Sequence, residues 1–264
     1  MKVFKKVLIV VLILALLVLV GFLGVGVYKK YFAAVSHPVV TFEIEDYGTV
    51  KMELYPEYAP NTVANMIKLV ENGYYDGKLI FGKDEICLYA GRSTDDEIVV
   101  PTVSQIDSNV KIGSEQDIKY QIPGEFVANG YEENILSHEK GVVSLIRYDY
   151  AQQIPDLTTE SYNSGNAQLG IMLTDARDLN GLYAGFGKIT EGLEIIEKIA
   201  SEDIVEVTEE EDTGIDEFTK APVIKKATVD TFGKDYGVPE YEEYFDFTAY
   251  LQDLMSQYYT TELQ

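Results

Sequence analysis

Short strand-like segments recur along most of the chain and set its fold class. Apolar and polar residues alternate from Val39 to Asp46 and from Thr49 to Tyr55, around the triplet Asp46-Tyr47-Gly48. This is the pattern of an antiparallel hairpin. Shorter strand-like runs follow at 78–82, 86–90, 141–147, 168–173, 184–189 and 223–232. Because helices do not alternate with these strands, the pattern predicts a β-barrel or sandwich rather than a βαβ fold.

Two segments among these strands have helical periodicity instead. Residues 59–72 carry apolar residues on one face, with Pro60 in the first turn and Gly73 at the stop. Residues 191–200 repeat the pattern over a shorter length. The sequence therefore predicts two helices that cap a β-rich domain.

Two further regions have less regular patterns. Residues 92–121 are polar and contain Pro101, which predicts an elaborated loop. Residues 234–264 form an acidic, Tyr-rich extension. Its apolar residues recur at alternating spacings of three and four, which predicts an amphipathic helix, at Tyr244, Phe247, Leu251, Leu254 and Tyr258. Packing of this helix on its own domain is favoured over binding of a partner.

An uncharged apolar run from Val7 to Val27 predicts one transmembrane helix, because 21 residues at about 1.5 Å each cross a hydrocarbon core of roughly 30 Å. Lysines flank the run at positions 2, 5, 6, 29 and 30. Their excess before the run places residues 1–6 in the cytoplasm. We therefore expect a single-pass cell-membrane protein with a linker at 28–37 and an extracytoplasmic domain.

A cleaved signal peptide is the alternative interpretation of this segment. Ala34-Val35-Ser36 resembles a small-residue cleavage site. The apolar run is longer than the 7–15 residues usual in a signal peptide, however, and charged and aromatic residues separate it from that site. An uncleaved anchor is the favoured prediction.

The remaining chain is strongly acidic. The protein has 44 acidic and 21 basic side chains, and five of the basic residues lie within the first thirty positions. This charge argues against nucleic acid as a partner. The two histidines, His37 and His138, have no neighbours in zinc-ligand spacing, so no metal is expected. His138 is predicted to be a loop or strand-start residue rather than a catalytic base.

Several collinear motifs resemble those of the cyclophilins. VTFEIEDYGTVKMELYPEYAPNTVANMIKLVENGYYDG at 40–77 is similar to their opening hairpin and first helix. IPGEFVANGYEENILSHEKGVVSLIR at 122–147 is similar to a stretch of bacterial members whose strand ends in Ala-Arg. The resemblance continues through 165–173, 179–200 and 222–233, and thus covers roughly 38–233 without the loop.

Membership of this family implies a closed eight-stranded antiparallel β-barrel capped by two helices, with a proline-binding groove on its outer face. It also implies peptidyl-prolyl cis-trans isomerase activity on proline-containing polypeptides. The barrier to rotation about the X-Pro amide is about 18–20 kcal/mol, and lowering it requires a hydrogen-bond donor and an apolar pocket. No cofactor is expected.

The site residues follow from the same resemblance. In the stretch LIFGKDEICLYAG, Phe81 matches the family Phe-His-Arg segment, Gly82 stands for its histidine, and Lys83 stands for the catalytic arginine. The stretch is two residues shorter than the family pattern. The implied substrate-binding residues are Ile86, Cys87, Tyr89, Ile146, Gln168, Gly170, Leu179 and Tyr183.

Several of these positions depart from the family. Gly170 replaces a pocket aromatic whose full burial is worth about 1.5–3 kcal/mol, and Ile146 replaces a small residue and fills part of that space if it points inward. Asp178 stands at another aromatic position. We expect an isomerase that acts on exported proteins with weak activity. The alternative is a catalytically inactive module that binds an extracytoplasmic protein partner at the membrane surface.

Overall fold

The computed structural model describes residues 37–93, 99–205 and 214–262. The predicted membrane anchor at 7–27 lies outside these residues. Among the residues described, no helix combines the length and apolarity needed to cross a membrane.

A nine-stranded antiparallel sheet forms the body of the domain. Among the described residues its nine strands are β1 (Val39–Ile44), β2 (Gly48–Leu54), β3 (Leu79–Lys83), β4 (Cys87–Arg92), β6 (Val142–Leu145), β7 (Leu169–Met172), β8 (Ala184–Glu191), β9 (Asp216–Glu217) and β10 (Ile224–Asp230). Their spatial order is β10-β1-β2-β8-β6-β7-β4-β3-β9. A separate pair joins β5 (Tyr120–Gln121) to β11 (Glu242–Glu243).

The sheet curls until its two ends meet, but the predicted closed eight-stranded barrel is not what the described residues form. Ile80 N donates to Pro222 O at 2.8 Å, and Ile224 N donates to Lys78 O at 2.8 Å. An isolated bridge joins Leu79 to Val223. The end of β3 pairs with β9 instead, so within the described part of the chain no continuous ladder closes the sheet.

Within the described residues, four α-helices accompany the sheet: α1 (Pro60–Glu71), α2 (Thr158–Tyr162), α3 (Leu193–Ile199) and α4 (Phe247–Glu262). The predicted helices correspond to α1 and α3. Val63, Met66, Ile67 and Val70 of α1 are buried against the interior of the sheet. Periodicity thus identified the face of α1 that covers the core.

A distant carboxylate caps the start of α1. Glu125 accepts hydrogen bonds from the main-chain N of Asn61 at 2.9 Å and of Thr62 at 2.7 Å. The residue at the helix N-cap provides no side-chain cap of its own. Glu125 therefore joins the 122–131 segment to α1, since a carboxylate satisfies free N–H groups at a helix start.

The long loop and the C-terminal extension pack on the domain and on each other. Val103 of the loop is fully buried. β11 of the extension pairs with β5, which ends the loop. The Phe247 ring of α4 stacks on the Tyr150 ring at 4.8 Å between centroids, whereas Leu254 and Tyr258, farther along α4, are exposed.

Candidate active site

A cavity of about 370 Å³ lies on the outer face of the sheet, over β4, β6 and β7. Side chains alternate across β4, so Leu88 and Ala90 enter the interior core while Cys87 and Tyr89 face outward. The predicted substrate-binding residues that line the cavity are Ile86, Cys87, Tyr89, Ile146, Gln168, Leu179 and Tyr183. The structure therefore gathers on one surface residues that are far apart in the sequence.

Gly170 lies beneath this cavity, and Ile146 occupies the space above it. A Cβ atom on Gly170 would lie 2.7 Å from Ile146 Cδ1 and 3.6 Å from Cys87 Sγ. The first distance is shorter than a van der Waals contact. Ile146 thus points inward and fills the volume that the family pattern gives to an aromatic ring.

Lys83 lies near the cavity but its amine does not line it. Lys83 Nζ donates to Ala200 O at 2.7 Å, at the C-terminal end of α3. A cation is favourable there because the free carbonyls of a helix end carry partial negative charge. The structure does not bring Lys83 together with the substrate-binding residues, and its catalytic role stays a prediction.

Asp84, the residue after Lys83, lines the cavity in its place. Its Oδ1 accepts from the main-chain N of Ile86 at 2.7 Å and of Cys87 at 2.6 Å. Its Oδ2 accepts from the Tyr89 hydroxyl at 2.6 Å. These three hydrogen bonds hold the turn in place. The cavity wall therefore carries the carboxylate of Asp84 here, whereas the resemblance to the family implies a basic donor.

Gly82 is required where the family has a histidine. A Cβ atom at this position would lie 2.8 Å from Asp216 O of β9. The close pairing of β9 against β3 therefore leaves no room for a side chain.

Cys87 and Tyr89 are neutral at physiological pH. Burial, reinforced by the nearby Asp84 carboxylate, raises the pKa of the Cys87 thiol to about 12. Burial and the hydrogen bond to Asp84 raise the pKa of Tyr89. Only a thiolate is an effective nucleophile, so Cys87 serves as an apolar surface, with Sγ 3.7 Å from Met172 Sδ.

His138 orients a hydroxyl at the cavity wall. Its Nδ1 lies 3.1 Å from Asn180 Oδ1, which also accepts the main-chain N–H of His138, and its Nε2 lies 2.7 Å from Ser144 Oγ. Burial lowers the pKa of His138. In the neutral ring Nδ1 therefore carries the proton and Nε2 accepts from Ser144, which lines the cavity.

Arg147 lines the cavity opposite the Asp84 turn. Its guanidinium carbon lies 4.6 Å from the Tyr183 ring centroid and 5.1 Å from that of Tyr162. Its Nε donates to Leu182 O at 3.3 Å. Sequence reasoning gave Arg147 no role, although it ends the motif that resembles the bacterial Ala-Arg stretch.

The C-terminal extension supports the wall next to Arg147. Tyr148 lines the cavity, and its hydroxyl lies 3.5 Å from Gln168 Nε2. The Tyr148 ring stacks on the Tyr150 ring at 5.8 Å, and Tyr150 in turn stacks on Phe247. An aromatic series thus runs from α4 to the cavity.

Comparisons with known proteins agree with this geometry. The family model for the cyclophilin type peptidyl-prolyl cis-trans isomerase/CLD matches residues 39–229. Peptidyl-prolyl cis-trans isomerase B of Bacillus subtilis is 29% identical over 164 residues, covering 62% of this chain and 92% of that protein. A Helicobacter pylori peptidyl-prolyl cis-trans isomerase is 25% identical over 185 residues, covering 64% and 93%.

A solved structure shares the fold. The cyclophilin type peptidyl-prolyl cis-trans isomerase of Cryptosporidium parvum has a TM-score of 0.53 at 19% identity, covering 74% of this chain and 98% of that one. The family match spans most of the described domain and includes the strands that carry the cavity. The chain belongs to the cyclophilin-type peptidyl-prolyl cis-trans isomerase family.

Proposed function

We propose that this protein catalyses cis-trans isomerisation of X-Pro bonds in exported polypeptides, with lower efficiency than the family pattern would give. The observation that carries the proposal is the cavity itself, where Ile86, Leu179 and Tyr183 provide an apolar wall and Ser144 and Gln168 provide polar groups. Rotation about the amide needs only such a pocket and a donor that stabilises the twisted state.

Two features of the cavity support low efficiency. The Lys83 amine is engaged at Ala200 O, so it does not supply a donor to the cavity in this conformation. Ile146 fills the space over Gly170 and offers a smaller apolar surface than an aromatic ring. Less apolar surface buries less of a proline ring and gives weaker binding.

The role in export rests on the sequence. The apolar run at 7–27 and the lysine asymmetry around it support a membrane anchor with the isomerase domain outside the cytoplasm. Protease added to intact cells would degrade the domain if it is extracytoplasmic. Protection of the domain until the cells are lysed would contradict this part of the proposal.

Isomerase activity is tested with the full chain in detergent micelles and a short peptide that contains one X-Pro bond. We expect the cis-trans exchange rate, measured by NMR, to rise in proportion to protein concentration. Leu179→Ala in the cavity should reduce this acceleration, whereas Leu254→Ala on the exposed part of α4 makes the same chemical change and should not. Equal exchange rates with and without wild-type protein would sink the proposal.

A binding module that catalyses little is the second candidate. Tyr89 and Tyr183 favour it, because half-exposed tyrosines are enriched at interfaces, and both line the cavity. In this case capture from membrane extracts enriches a protein whose binding is lost in Tyr183→Ala. Peptide exchange that is accelerated without any reproducible partner would favour the isomerase instead.

A further inference from the structure

Arg147 holds a hydrogen-bond donor that the fold does not use. Its Nη1 atom is buried and has no hydrogen-bond partner among the described residues. A buried donor without a partner is destabilising, and more so when it is charged, so native structures seldom leave one. Arg147 also lines the cavity, where a bound molecule can provide acceptors to its guanidinium.

The rest of the guanidinium is held in place. Its Nε donates to Leu182 O, and the Tyr183 and Tyr162 rings lie within 4.6 and 5.1 Å of its carbon. Contact with aromatic faces stabilises the position of a cation. A planar group fixed at one edge and over its faces presents its remaining N–H groups in one direction.

The charges around the cavity single out the same residue. Arg147 is the one basic side chain that lines it within the described ranges, where it is accompanied by the carboxylates of Asp84 and Asp149. Lys83 is held at Ala200 O, and Asp84 is an acceptor occupied by three donors. A cationic donor to a bound peptide must therefore come from the segment after β6.

We propose that Arg147 is the catalytic residue whose guanidinium donates to the X-Pro amide as it twists. Loss of resonance localises the lone pair on the prolyl nitrogen, and a fixed cationic donor stabilises that state more than the planar ground state. This inference rests on the proposed isomerase function. It moves the donor from the β3–β4 turn to the opposite wall of the cavity.

The test compares single variants of the full chain in the NMR exchange assay. Arg147→Gln should lower kcat/KM about 100-fold, the usual cost of removing one preorganised donor, with KM changed much less than kcat. Arg147→Lys should fall between it and wild type. Lys83→Ala and Arg177→Gln, an exposed arginine outside the cavity, should stay within about twofold of wild type.

Three results would overturn the inference. One is an Arg147→Gln protein with wild-type kcat/KM; another is a loss confined to Lys83→Ala, which leaves the proposed function standing. If wild type itself fails to accelerate exchange, the proposed function and this inference fall together, and that pattern differs from the first two.

A second measurement follows peptide binding to the wild-type protein itself. The guanidinium N–H resonances of Arg147 in wild-type protein, assigned by their loss in Arg147→Lys, should shift when the X-Pro peptide is added. The resonances of Arg177 should not. A peptide that binds without moving the Arg147 resonances would overturn the assignment.

Discussion

Two segments face each other across the cavity, the β3–β4 turn at residues 83–86 and the segment after β6 at residues 146–150, and they differ in what their polar groups do. In the turn, Lys83 and Asp84 are both occupied by contacts within the protein. In the second segment, Ile146 fills the pocket, and Arg147 has a donor with no hydrogen-bond partner in the part of the chain that the structure describes. The polar groups of the turn are thus engaged in contacts within the protein, whereas we propose that the opposite wall supplies the donor to a ligand.

The difference shows how a site changes when its backbone does. The turn is shorter than the family pattern, and β9 lies against Gly82 so closely that a side chain there would collide with it. Alignment with the family pattern then identifies the corresponding residues, but it does not show where their functional groups lie. A donor on another wall of the cavity can take over the chemistry.

The largest expected effect comes from rebuilding the aromatic pocket. Gly170→Phe alone should lower the free energy of unfolding by about 3 kcal/mol, because its side chain would overlap Ile146. Adding Ile146→Ala should recover most of this loss and tighten binding of a proline peptide. Chemical denaturation and peptide titration measure the two effects; equal instability of the single and double variants would show that Ile146 does not fill that space.

The aromatic contacts of α4 should stabilise the segment after β6 and not the β3–β4 turn. Phe247→Ala should lower the free energy of unfolding by about 1 kcal/mol through loss of its stacking on Tyr150. Hydrogen exchange should become faster in 146–152 but not in 83–87. Faster exchange in both segments would mean that the two walls are not supported independently. Leu254→Ala, on the exposed part of α4, is the control.

Lys83→Ala should affect stability and not catalysis. Loss of the bond to Ala200 O should cost roughly 1 kcal/mol, since Lys83 is only half-buried and water replaces part of the interaction. The thermal midpoint measures this cost, and kcat/KM should stay near wild type. A tenfold fall in kcat/KM with an unchanged midpoint would restore Lys83 as the donor.

The smallest expected effect is that of pH. The pKa values of Cys87 and Tyr89 are raised, so both groups stay protonated as pH rises, and the pKa of His138 is lowered, so its ring stays neutral down to the acidic range. Arginine remains charged throughout. The kcat/KM profile should thus be flat from about pH 7 to about pH 9. An inflection in that window would indicate a titrating lysine, cysteine or histidine in the mechanism.

Most of the fold could be predicted from the sequence because its longer elements have periodic patterns. The predicted helix at 59–72 and the opening hairpin agree closely with α1, β1 and β2. Two-residue strands such as β5, β9 and β11 carry no periodic signal, since their pairing is set by tertiary contacts. The sequence patterns therefore do not predict β9. The predicted number of eight strands is wrong by one for the sheet that the described residues form.

The site likewise contains residues that the sequence predicts and contacts that it does not. Residues such as Cys87 and Tyr89 lie where strand alternation and the family register place them. The direction of the Lys83 amine depends on the carbonyl of Ala200, 117 residues away along the chain. The position of the Arg147 guanidinium depends on contacts with aromatic rings from three separate segments. Contacts of this kind have no local sequence signal.

The most direct test of the account is an experimental structure of the full chain bound to a peptide with one X-Pro bond. The proline should lie between Leu179 and Ile146, with a guanidinium nitrogen of Arg147 within about 3.2 Å of an atom of the X-Pro amide. Lys83 Nζ should remain on Ala200 O. A peptide amide held by Lys83, with the Arg147 guanidinium directed elsewhere, would contradict the account.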